Sequence, residues 1–166
     1  MTARLAKQNV FPDSWAAAAP FAIVGVACVV VGGLVSAIAA SSPSENSSWA
    51  VAYLVLIGGV AQIALGVGQS RLATTAPSGR LLLSEFVAWN LGNAAVIAGQ
   101  LLGYQFVVDA GGLLLVVALA LLFRGVGGAR PGSRDSRWML YAYRAILLIV
   151  LVSIPIGLII GHVKAS

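Results

Sequence analysis

Five apolar runs, at 20–40, 49–68, 82–102, 106–123 and 138–161, constrain this chain more than any other feature. A helix needs about 20 apolar residues to cross the hydrocarbon core of a bilayer. Together the runs fill most of a 166-residue chain, 60% of it hydrophobic and 9% charged. A soluble domain carries roughly 25% charged residues, so water is a poor solvent for this surface and lipid a good one. The expected fold is all-α: one integral membrane domain over 1–166, a bundle of about five transmembrane helices with no room for a separate soluble module.

The third and fourth runs are separated only by Gly103–Gln105. As one helix, 82–123 would measure roughly 63 Å, about twice the core thickness. Two spans joined by a tight hairpin are therefore expected, the turn lying near headgroups or inside protein.

Charge tests the count independently. With the N-terminus inside, five crossings place nine basic residues (Arg4, Lys7, Arg71, Arg80, Arg124, Arg130, Arg134, Arg137, Arg144) on the inner side and only Lys164 outside. This positive-inside pattern predicts an N-in, C-out orientation. The basic N-terminus and long first run read as a retained signal anchor, with cleavage near 37–40 as the alternative. The net charge of +5 then serves orientation and contact with anionic headgroups. No basic patch is interleaved with aromatics, so nucleic acid is not an expected partner. Trp49, Trp138, Tyr104, Tyr141 and Tyr143 fall near span ends, where rings anchor helices at the interface. Trp15 is expected in an interfacial helix ahead of the first span. The Ala, Gly and Val content, with eight Arg against two Lys, suggests a bacterial cytoplasmic membrane.

Lipid tails do not drive helices together, so close backbone contact must. Cys28, Gly32, Ser36 and Ala40 form a small-residue ridge at four-residue spacing, with Gly25, Gly33 and Ala37 beside it. Gly58, Gly59, Gly66 and Gly68 in the second run, and Ala95, Gly99 and Gly103 in the third, extend the pattern. These rows predict tight packing, within the chain or against itself or another membrane subunit. Pro155 should kink the fifth helix, with Ser153 helping the disturbed turn.

Polar residues inside the spans are the only chemical leads. Gln62 and Gln69 share one face of the second helix by their spacing; Asn90, Asn93 and Gln100 share one face of the third. An amide left without a partner in lipid costs a few kcal/mol. Three uses fit this row: structural glue between helices, the lining of a solute or water path, or a quinone or other cofactor pocket. Glu85 reads as a carboxylate complementing the third helix's N-terminus; placed deeper, it becomes the best candidate for a proton or cation site. Asp109 is expected in the outer turn, in contact with water.

Other chemistry finds little support. Cys28, the single cysteine, makes no internal disulfide and reads as a packing residue. His162, the single histidine, lies at the outer end of the fifth span, away from Met1 and Met139, so no haem or metal site is expected. No P-loop, GxGxxG after a strand or CxxC occurs, and no histidine is placed to serve a nucleophile. No enzyme activity and no cofactor are expected. A non-enzymatic membrane protein follows, either an accessory or scaffold subunit of a membrane complex or a small-solute transporter or channel with an amide-lined path.

The run Gly58-Gly59-Val60-Ala61-Gln62-Ile63-Ala64-Leu65-Gly66 resembles a Gly-Gly-x-x-Gln stretch in an early span of the acetate uptake transporter family. The resemblance covers fewer than a dozen residues and implies solute transport. That family usually has six spans and an Asn-Pro-rich N-terminal signature, neither of which this sequence matches.

Overall fold

The computed structural model describes residues 13–73, 78–126 and 134–165. Five helices follow one another, with no strand among the described residues: α1 (Asp13–Ala39), α2 (Glu45–Leu72), α3 (Gly79–Leu102), α4 (Gln105–Gly125) and α5 (Arg134–Ala165). Each contains a segment long and apolar enough to cross a membrane. Arg4, Lys7 and Arg130, and the side chains of Arg134, His162 and Lys164, lie outside the described residues.

Local chemistry extends α2 and α3 ahead of their apolar runs. Ser44 and Ser47 form a reciprocal capping box: each hydroxyl accepts the other's backbone N–H at 3.1 Å. The polar stretch 41–48 between the first two apolar runs is therefore helical in its second half, and α2 begins at Glu45. Ser78 caps α3, its hydroxyl accepting from the Leu81 N–H at 3.3 Å. The 13–19 segment is continuous with α1, with Trp15 exposed and Ala18 and Phe21 buried. Leu54–Ala61 within α2 is π-helical, with regular α-helix on either side.

The α3–α4 turn is as tight as the sequence demands. Gly103 adopts a left-handed φ of 73° that a side chain disfavours, and the Tyr104 N–H donates to the Gly99 carbonyl at 2.8 Å. Asp109 lies within α4, half-buried, rather than in the turn, because the turn consumes only Gly103 and Tyr104.

Glycines bring α3 and α4 together along most of their length. A Cβ on Gly111 would stand 2.8 Å from both the Gly92 carbonyl oxygen and the Val96 nitrogen. One on Gly99 would stand 2.8 Å from the Val108 nitrogen. Backbone thus packs on backbone. The helix α5 joins through a buried row, Leu140, Tyr143, Leu147 and Val150, laid on α4 and on the second half of α2.

Only part of the expected α1 ridge is used. Gly25 lies under Ile63 and the Gly59 carbonyl, Cys28 meets Gly58, and Gly32 meets Val55. Ser36 and Ala40 are exposed, and a Cβ on Gly33 would meet nothing within 4 Å. The reason is geometric: successive i, i+4 steps rotate by about 40°, so Ala40 stands about 120° from Cys28. Alternating three- and four-residue steps, Gly25 to Cys28 to Gly32, stay on the contact line. Ala40 also lies just beyond the end of α1.

Among the interfacial rings, Trp138, Tyr104 and Tyr141 are exposed, and Trp49 is half-buried and stacks on Tyr53. Tyr143 differs: it is buried, its ring lying over Gly68 where a larger residue would collide. The α5 helix runs through Pro155, and the Ser153 hydroxyl donates to the Val150 carbonyl at 2.8 Å.

Candidate functional site

Two polar groups occupy the interior between α2 and α3. The first lies near the bundle end where α2 and α4 finish and α3 and α5 begin. Glu85 is fully buried, and the Gln69 amide donates to both its carboxylate oxygens at 2.9 Å. Glu85 does not complement its helix's N-terminus. It stands six residues past Gly79, about 9 Å along the axis, and Ser78 already supplies the cap. Gly125, the last residue of α4, roofs this pair: a Cβ there would come within 2.5 Å of Gln69 Nε2 and 3.4 Å of Glu85 Oε1. The Tyr143 hydroxyl points to the neighbouring Leu122 carbonyl at 3.5 Å, the long limit of a hydrogen bond.

The second group lies deeper. Gln62 is 1% exposed, yet among the described residues neither its amide nitrogen nor its amide oxygen meets a partner. Trp89 is 0% exposed and its indole N–H is likewise unmatched. Asn93 donates through Nδ2 to the Trp89 carbonyl at 2.9 Å, while its Oδ1 has no partner. Reversing the Gln62 amide changes nothing, because both of its ends are unmatched.

Helix geometry brings Gln62 and Asn93 to one level along the helix axes. The Gln69–Glu85 contact sets the register of antiparallel α2 and α3. Gln62 is about 10.5 Å from Gln69 along α2, and Asn93 about 12 Å from Glu85 along α3. Trp89 lies between, one turn from each of Glu85 and Asn93. The π-helical Leu54–Ala61 segment, immediately before Gln62, approaches α3 directly. Phe21 of α1 closes one flank, set edge-on to Phe86 with ring centroids 5.5 Å apart and covering Gly66.

The remaining amides stand apart from this pair of groups. Asn90 is half-buried and spends its Nδ2 on the Phe86 carbonyl of its own helix at 2.8 Å. Gln100, in the last turn of α3, is exposed. Two participants, Trp89 and Gly125, were not singled out by sequence reasoning, and Tyr143 was expected only as an interfacial ring. Trp89 carried a legible signal, being a tryptophan in mid-span where interfacial anchoring does not apply, at i+4 from Glu85 and i−4 from Asn93. Gly125 carried none, since a glycine at a helix end is ordinary capping chemistry.

Among the described residues, no three His, Cys, Asp or Glu side chains gather at one place. Cys28 is half-buried against Gly58. The arrangement combines one buried acid held by an amide with a set of neutral donors and acceptors. It can hold a proton or cation at Glu85 and a hydrogen-bonding molecule near Gln62.

No protein-family model, no curated protein and no solved structure matches this chain. The local likeness of 58–66 to acetate uptake transporters therefore assigns no family.

Proposed function

We propose that this non-enzymatic membrane protein receives or passes a small polar solute through the seam between α2 and α3. The observation that carries this reading is the state of Gln62. Structural glue pairs amides across helices, as Gln69 does with Glu85. Gln62 pairs with nothing at either end among the described residues. Each unmatched buried polar atom costs about 1–3 kcal/mol, a cost with a purpose where a solute satisfies it. Intramembrane ionisable residues such as Glu85 commonly mark solute or ion pathways. In this reading the path is lined by Gln62, Trp89 and Asn93 and narrows at Gln69–Glu85 under Gly125.

The test is solute flux into vesicles reconstituted with purified protein. Flux is expected above that of protein-free vesicles and is expected to fall at least tenfold, on the order of one lost hydrogen bond to the solute, in Gln62→Leu and Asn93→Leu. Flux unchanged by both substitutions rejects the lining.

A second reading, an accessory or scaffold subunit, is favoured by α1. Its large apolar residues Ile23, Val26, Val30, Leu34 and Ile38 are exposed, and Gly33, Ser36 and Ala37 form an open small-residue row beside them. Lipid explains the large residues; the small row suits a second helix. Native mass spectrometry of the gently solubilised protein separates the readings: a defined complex with another membrane protein supports the subunit, and a solitary chain opposes it. In both readings the basic connections lie on the cytoplasmic face of a bacterial membrane. Reporter fusions within 127–133 test that orientation.

A further inference from the structure

The seam joins two kinds of polarity, and only one is already matched. At Glu85 the carboxylate has an amide donor on both oxygens. Around Gln62 four polar atoms on three residues lack protein partners: Gln62 Nε2, Gln62 Oε1, Trp89 Nε1 and Asn93 Oδ1. All three residues are at least nine-tenths buried, at 1%, 0% and 6% exposure. Two of the atoms are donors and two are acceptors. None is charged. A cation would satisfy the two oxygens and leave both donors facing it; an anion would do the reverse. A molecule that donates and accepts satisfies all four.

We propose that Gln62, Trp89 and Asn93 form a binding site for a small uncharged molecule that both donates and accepts hydrogen bonds. The site rests on the reading that the α2–α3 seam serves a solute, and it names the solute's chemistry: neutral and amide- or polyol-like, or water itself. The sources share one hydrogen-bonding pattern. Trp89 adds a discriminating element, because an indole offers a donor and no acceptor, so the molecule must accept there. Asn93 is held in place by its own Nδ2 bond to the Trp89 carbonyl, which leaves Oδ1 as the presented acceptor. The site thus draws on two elements, a fixed donor–acceptor pair on α3 and an amide of either sense on α2.

The indole N–H of Trp89 reports occupancy directly. The full chain, prepared without glycerol and held in detergent micelles, is labelled with nitrogen-15 at tryptophan, and the Trp89 resonance is assigned by its loss in Trp89→Phe. Urea, glycerol and potassium chloride are then titrated separately. The expected result is a saturable shift of the Trp89 resonance with urea or glycerol and none with the salt. The apparent Kd is expected to rise at least about tenfold in Gln62→Leu and Asn93→Leu, the loss of one hydrogen bond to the ligand. The resonances of Trp15, Trp49 and Trp138 monitor the fold of each variant.

Magnetisation transfer from water to the Trp89 indole, without a saturable shift, assigns the same site to bound water. Two outcomes overturn the proposal: a Trp89 indole that responds neither to the neutral solutes nor to water, or one that responds to the salt as strongly as to them. The permeation reading is judged separately. A saturable shift without flux keeps the site and removes the path; flux without any Trp89 response keeps the path and removes this site.

Discussion

Two successive stretches of α3, each with its own buried face, solve the problem of helix association in opposite ways. One face, with Gly92, Val96 and Gly99, meets α4 through bare backbone, close enough that an added Cβ has no space. The other, with Glu85, Trp89 and Asn93, buries polar side chains, and its Glu85 meets Gln69 of α2. The glycine face leaves no room for a side chain. The polar face leaves one carboxylate matched by a single amide and four atoms without protein partners. Packing alone explains the first face. The second carries desolvation costs that packing does not need, which is why function is sought there.

The sharpest way to break this comparison is to disturb the glycine face. Gly111→Leu places side-chain atoms where the Gly92 carbonyl and Val96 nitrogen already stand. Overpacking of this kind is expected to cost about 3 kcal/mol, read as a lower midpoint for unfolding in mixed micelles. An unchanged midpoint would show that the hairpin is looser than described.

Next in size is the matched half of the polar face. Gln69→Leu strips Glu85 of its amide donor and is expected to destabilise the protein by about 2 kcal/mol. Adding Glu85→Leu should recover most of that loss, because the buried carboxylate is then gone too. Additive losses in the double variant would contradict the pairing.

The unmatched half sharpens the comparison. If the Gln62 environment is filled by protein alone, Gln62→Leu removes two unsatisfied atoms and stabilises by about 2–6 kcal/mol. If a hydrogen-bonding molecule occupies it, the gain is offset by the lost contacts, and a change under about 1 kcal/mol is expected. The same unfolding titration distinguishes the two. The smallest effect belongs to the open side of α1: Gly33→Ala has free space around the new methyl group, and its midpoint should rise only by the roughly 0.5–1 kcal/mol that alanine gains over glycine inside a helix.

The fold was legible because apolar run length and Gly103 mark the five helices and the hairpin with little ambiguity. Helix ends were less legible, since Ser44 and Ser78 act through local hydrogen bonds that extend a helix past its apolar run. The candidate site was half legible. Spacing put Gln62 with Gln69, and both lie in the regular part of α2. Spacing also grouped Gln100 with Asn93, yet Gln100 is exposed, because periodicity reports direction around a helix and says nothing of where a neighbour covers it. The Gln69–Glu85 pair and the Gly125 roof depend on how separate helices meet, and no interval within one helix encodes that. Tyr143 illustrates the same limit: its place in the chain suits an interfacial anchor, and its contact with Gly68 turns it inward.

Thiol accessibility tests the central claim, that the α2–α3 interior serves a small solute, most directly. With Cys28 replaced by serine, a single cysteine is introduced as Asn93→Cys or, for comparison on the glycine face, Val96→Cys. Intact vesicles are then exposed to a small, uncharged, water-soluble thiol reagent. The account predicts labelling at position 93, slowed by urea or glycerol, and none at position 96. Equal silence at both positions, with full labelling after denaturation, would contradict it.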